Sequence, residues 1–164
     1  MNGKIIELFE AVQSISYRCR NQNPSNLSLN LRYANCNQKR DLLKQEVRKY
    51  KIESRNLDAI FNWKDLPLPK EILKILRKSG TFQKHHLLEI KINDNYFKID
   101  PTWDLELEVF GFPVTKNWDS NSNTEQVTKG KILFYDSSSQ NISLPYYPEE
   151  RKIFADEFNR WIKR

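Results

Sequence analysis

Between His85 and Ile99 the chain alternates apolar and polar residues twice, with Asn93-Asp94 between the two runs. Leu88, Ile90 and Ile92 occupy every second position of the first run, Phe97 and Ile99 of the second. Period-two alternation marks half-buried strands, and Asn and Asp tolerate the positive φ of a two-residue hairpin turn. The predicted element is a β-hairpin. A turn at Asn93-Asp94 sets Ile90 opposite Phe97 and Leu88 opposite Ile99, which assembles one apolar face. It also sets Glu89 opposite Lys98, so Glu89 is expected to pair with Lys98 in a structural role. A turn one residue later would oppose Glu89 to Asp100 and Lys91 to Lys98, like charge against like. In the preferred register Asp100 is the diagonal neighbour of His85 on the polar face, roughly 7–8 Å between backbones and within side-chain reach. His86, on the other face, is expected to point into the core.

Helical periodicity appears in three places. Ile5, Leu8, Phe9 and Val12 predict an amphipathic helix over 4–13, and Leu42, Leu43, Val47 and Tyr50 a second, capped by Asn35. Phe154, Phe158, Trp161 and Ile162 predict a third over 149–163, with its aromatics in the core. Pro69 suits the first turn of a shorter helix through Leu76, which Ser79-Gly80 would end. Residues 52–61 read as a strand whose pattern Asp58 interrupts, and residues 131–135 as another. Residues 18–32, 120–124 and 137–141 are polar and read as loops. The expected architecture is a single α+β domain over 1–164.

Composition narrows the function classes. With 38% hydrophobic and 29% charged residues in 164, the chain can bury a core and is not of disordered type. The net charge of +6 comes from basic residues scattered among acidic ones, with small clusters at 18–20 and 48–51. Solvated faces account for that pattern, so nucleic acid is not an expected partner. No segment near the N-terminus is apolar enough for a leader or a span, so a cytoplasmic location and no membrane partner are expected. Reduced thiols are expected at Cys19 and Cys36; a disulfide between them would block Cys36. Adjacent histidines on a strand point oppositely and the cysteines lie far off, so no metal site is expected. No Gly-rich phosphate loop is present, and no cofactor is implied.

A His85–Asp100 pair calls for a nucleophile. Cys36 lies in the first turn of the helix that Asn35 caps, at the positive end of its dipole, with Lys39 and Arg40 following. Both features stabilise negative charge on sulfur. His85 would take the thiol proton and Asp100 would hold the imidazole in one tautomer.

Cys36 at a helix start, then His85, Glu89, Ile90, Ile92, Phe97, Ile99, Asp100, Thr102 and Trp103 in this order and spacing, resembles the transglutaminase-like core of the papain-like thiol enzymes. Ile15-Ser16-Tyr17 resembles the aromatic-bearing segment before that Cys, and residues 50–55 the Gly-Ile-Pro-x-Arg strand after its helix. The resemblance covers about residues 5–104 and leaves 105–164 as a C-terminal extension. It departs at Ala34, where glycine is usual, and at His86-Leu87, where an aromatic often follows the His. The resemblance implies a papain-like fold, with the Cys helix packed on an antiparallel sheet carrying His and Asp. It implies acyl transfer on an amide or ester, peptide or protein substrates included, through a thioester on Cys36. Tyr17, with Gln22 as the alternative, would join the Cys36 backbone N–H as oxyanion donor, and Trp63 and Trp103 are cleft candidates. Two readings stay open beside catalysis: a silent module of the same fold that binds a peptide or protein partner, and hydrolysis against transamidation within the active one. Oligomeric state is not written in these residues.

Overall fold

The structure, a computed structural model, describes residues 2–20, 26–136 and 138–163. Its elements run α1 (Asn2–Gln13), β1 (Ser16–Tyr17), β2 (Tyr33–Ala34), α2 (Cys36–Lys49), β3 (Ser54–Asn62), α3 (Lys70–Leu73), β4 (Phe82–Ile92), β5 (Asn95–Ile99), β6 (Leu133–Tyr135) and α4 (Pro148–Trp161). The hairpin forms around its turn: Asn93 and Asp94 both adopt positive φ, 48° and 63°, the values a tight twisted hairpin requires. β4 and β5 pair with Leu88 opposite Ile99, Glu89 opposite Lys98 and Ile90 opposite Phe97, the register expected from the alternation.

β4 is an inner strand of a four-stranded antiparallel sheet ordered β5-β4-β3-β6. Leu88, Ile90, Ile92 and Ile99 turn toward α1 and α2, where Ile5, Leu8, Phe9, Val12, Leu42, Leu43 and Val47 complete an almost wholly aliphatic core. The fold is therefore α+β, with the Cys36 helix packed on the sheet that carries His85 and precedes Asp100.

A second core is aromatic. Tyr17, Phe61, Trp63, Trp103, Phe112, Phe154 and Phe158 pack against one another edge-to-face or tilted, with ring centroids 4.6 to 6.1 Å apart. Phe154 and Phe158 arrive on α4, so the C-terminal extension is built into the fold. α4 also binds the rest of the chain through polar contacts. Arg151 donates to the carbonyls of Ser79, Gly80 and Phe82 at 3.1–3.2 Å. The Asn159 amide brackets Cys19, accepting from its N–H and donating to its C=O, both at 2.9 Å.

Three expectations need correction. β1 and β2 form a short parallel pair, Ser16 with Tyr33 and Tyr17 with Ala34, where the pattern indicated only a segment and a loop. α3 is four residues long; Lys74 caps it, and tighter turns lead to Gly80 at φ 68°. Tyr50 is the C-cap of α2 and is 48% exposed, stacked under Lys4 instead of joining the buried face. Among the described residues no helix is long and apolar enough to cross a membrane.

Candidate active site

Asn35 starts α2 with a reciprocal capping box: its Oδ1 accepts from Gln38 N–H, and Gln38 Oε1 accepts from Asn35 N–H, both at 3.0 Å. Cys36 is thus the first helical residue, and its own N–H is among the amides a helix start leaves without an intrahelical partner. The β1–β2 pairing sets Tyr17 beside Ala34, two residues before the sulfur. Asp100 leaves β5 with its carboxylate aimed by two bonds. Its backbone N–H donates to Thr124 Oγ1 at 2.8 Å, and its Oδ1 accepts from Thr102 N–H at 3.1 Å.

The carboxylate's Oδ2 meets His85 Nε2 at 2.7 Å, with both side chains almost fully buried, 2% and 3% exposed. That contact leaves Nδ1 as the other ring nitrogen, and the Cys36 side chain lies close enough to the ring to raise its proton affinity. Burial on its own would lower the pKa of His85. The charge and hydrogen bond of Asp100, with the Cys36 contact, outweigh it and raise the value to about 10. The imidazole is therefore a cation at neutral pH, wedged between a carboxylate and a sulfur.

Cys36, His85, Tyr17, Trp63, Thr102 and Trp103 share the wall of one cleft of about 240 Å³. A larger depression, about 560 Å³, lies beside Tyr17, Arg18, Arg32 and Tyr33; no cysteine or histidine borders it, so Cys36 and His85 come together only in the smaller one. Tyr17 is buried, and burial, then the charges of Cys19 and Cys36, push its phenol pKa well up, so it stays a protonated donor; its hydroxyl meets Cys19. Trp63 and Trp103 serve cleft wall and aromatic core at once. Trp103 Nε1 donates to Val127 O at 2.8 Å, whereas Trp63 Nε1 and Thr102 Oγ1 are buried and have no hydrogen-bond partner among the described residues. Gln22, the alternative oxyanion donor, lies outside the described residues. Both thiols are free. Burial, then the nearby Cys36, pushes the Cys19 thiol up to about 12.

Neighbours of the triad depart from expectation. Lys39 turns into the core, fully buried, and its Nζ donates to Gln13 O, Pro101 O and Thr102 O at 3.0, 3.2 and 3.0 Å. Burial lowers its pKa to about 7 against the opposing pull of Asp104 and Asp100. Arg40 reaches the buried Asp58, 3.7 Å from its Oδ1, as well as Asp41 and Asn37. His86 is not a core residue. Its side chain is 29% exposed and lines the same cleft, with Nδ1 2.6 Å from Asp58 Oδ1, because β3 presents Asp58 directly across from it. Burial lowers the His86 pKa, Arg40 adds to that, and the bond to Asp58 opposes it. Glu89 likewise pairs with Arg55 across on β3, at 2.6 Å, while Lys98 stands over the Phe134 ring. The signal for the His86 network was Asp58 itself, a carboxylate interrupting an apolar strand.

Among the described residues no group of three or more His, Cys, Asp or Glu could hold a metal ion. No family model matches the chain, and neither do any curated protein or solved structure.

Proposed function

We propose that the protein is a thiol acyl-transfer enzyme acting on an amide or ester, built on a papain-like, transglutaminase-like core. One observation carries this reading: Asp100 holds one nitrogen of a buried His85, and Cys36 lies beside the same ring in the same cleft, all three drawn from separate segments. The resting site sets the protonated His85 ring beside the Cys36 side chain. Sulfur attacks the carbonyl carbon, and the backbone N–H of Cys36 donates to the oxygen that gains charge; Tyr17 joins it by turning its hydroxyl away from Cys19, and one such donor is worth about 3 kcal/mol in other enzymes. His85 then delivers its Nδ1 proton to the leaving group, and the acyl group rests on sulfur as a thioester. Water or an amine receives it. Asp100 keeps the ring oriented throughout.

Alkylation followed by intact-mass analysis tests the reading. At pH 7 iodoacetamide should modify Cys36 far faster than Cys19, and His85→Ala should erase most of that advantage. p-Nitrophenyl acetate should leave an acetyl group on Cys36 in the wild type and none in Cys36→Ala. Slow labelling of both cysteines, indifferent to residue 85, would falsify the assignment and leave a fold without chemistry.

A further inference from the structure

The cleft over Cys36 carries charge of one sign. No aspartate or glutamate among the described residues lines it, whereas Arg20, Lys84 and Arg151 do, beside the protonated His85. Asp100 and Asp58, which bond to His85 and His86, are buried and form no part of its wall. The three cations differ in what holds them. Arg151 commits its guanidinium to the carbonyls of Ser79, Gly80 and Phe82 and to Gln83 Oε1. Arg20 reaches the Pro148 carbonyl at 3.3 Å. The Lys84 ammonium has no hydrogen bond or ion pair among the described residues, whereas Lys4, Lys74 and Lys116 each stand beside a glutamate. Its place on β4 explains the isolation. Ile60 of β3 stands across from it on one side, and on the other β5 ends at Ile99, opposite Leu88. Lys84 also borders a second depression, of about 410 Å³, which shares Gln83, Tyr146 and Arg151 with the cleft and again has no carboxylate in its wall. Lys84 therefore stands where the two spaces meet, next in sequence to His85.

We propose that this cleft selects an anionic acyl donor, an amide or ester whose acyl chain carries a carboxylate, and that Lys84 reads that charge. The inference rests on the acyl-transfer reading above and names its substrate class. Cations lining a confined cleft raise the local concentration of anions and steer them inward. A neutral chain gains nothing from that field, and a cationic one is repelled by it. Among the three cations Lys84 is the one with an ammonium to give. A lysine already paired must release its carboxylate before it can serve a ligand, and Lys84 has none to release. The arginines keep their carbonyl bonds, which orient a guanidinium without cancelling its charge, and so add to the field. The pairing also suits the chemistry. A bare carboxylate on the acyl chain would oppose the negative charge that gathers on the carbonyl oxygen during attack; an ammonium bonded to it removes most of that opposition.

Two matched pairs of reagents read the charge of the cleft. Mono-p-nitrophenyl adipate and p-nitrophenyl hexanoate present acyl chains of equal length, with and without a terminal carboxylate. At low salt the adipate ester should acylate wild-type Cys36 about 10-fold faster than the hexanoate, and high salt should shrink the ratio toward one. Lys84→Gln should remove most of the preference, and Lys84→Glu should invert it. A variant that merely folds poorly slows both esters alike and keeps the ratio, so the ratio reports charge and not stability. Iodoacetate and iodoacetamide repeat the comparison without an acyl group. Their relative rate at Cys36, referred to glutathione, should fall about 10-fold from wild type to Lys84→Glu. No preference for the adipate ester in the wild type, or an ester ratio that both Lys84 variants leave unchanged, overturns the proposal. Failure of the acyl-transfer reading looks different: neither ester then modifies Cys36, while the iodoacetate ratio still drops in Lys84→Glu.

Discussion

Two columns of charge run side by side from α2 to β4, each made of a cation, a buried carboxylate and an imidazole. One is Lys39, Asp100 and His85; the other is Arg40, Asp58 and His86. Their composition is nearly the same and their outcome opposite. Lys39 gives its three hydrogens to backbone carbonyls, so Asp100 directs its charge at His85. Arg40 stands against Asp58, so the carboxylate divides its charge and His86 gains less from it. The proton affinity of an imidazole thus depends less on whether a carboxylate is bonded to it than on what else that carboxylate serves.

Breaking the first column should have the largest effect. Asp100→Asn keeps the shape but removes the charge, and acetylation of Cys36 should slow about 10³–10⁴-fold. The alkaline limb of the pH–rate profile, set near 10 by His85, should fall toward the ordinary imidazole range, and a profile that stays put would separate Asp100 from the chemistry. Lys39→Met strips three carbonyl oxygens of their donor and should cost about 2 kcal/mol in urea unfolding at pH 7. Its pH dependence is more telling. The folded state raises the pKa of His85 from 6.5 to about 10, so that stabilisation is complete below 6.5 and lost by about 10. It lowers Lys39 from 10.5 to about 7, so the cost of burying that charge, full below 7, is relieved as pH rises. The two slopes oppose each other between 7 and 10. Wild-type stability should be nearly flat there, and Lys39→Met should decline steadily with pH.

Smaller changes sharpen the second column. Arg40→Met removes a cation that opposes charge on His86, and the His86 titration followed by NMR should move to higher pH; no movement would mean that Arg40 does not set its charge state. Glu89→Gln, which breaks the cross-strand pair with the exposed Arg55, should leave the melting temperature unchanged within error.

The same strand explains what the sequence made legible and what it hid. The Asn93-Asp94 turn, the register through Leu88 and Ile99, and the diagonal approach of Asp100 to His85 depend on one hairpin and its alternation, and all were readable. So were the Asn35 cap and the buried face of Leu42, Leu43 and Val47, which are local. β4, however, has a neighbour on each side. Hairpin reasoning sees only β5, so it assigned Glu89 to Lys98 and sent His86 inward, whereas β3 supplies Arg55 and Asp58. The β1–β2 pair is two residues per strand, too short for any periodicity; contacts with distant segments define it. Tyr50 shows the limit of a helical pattern at its last turn, where the chain is already leaving the core. The papain-like ancestry of the core stays a proposal beside these observations.

The Asn159 bracket on Cys19 joins residues 140 positions apart, so α4 works as a distant clasp on the segment that also carries Tyr17. Phe158 of the same helix lies against the Tyr17 ring, and one helix thus steadies this stretch by both its backbone and its side chain. Loosening α4 should therefore be felt first as faster hydrogen exchange at the Cys19 amide, at the opposite end of the sequence.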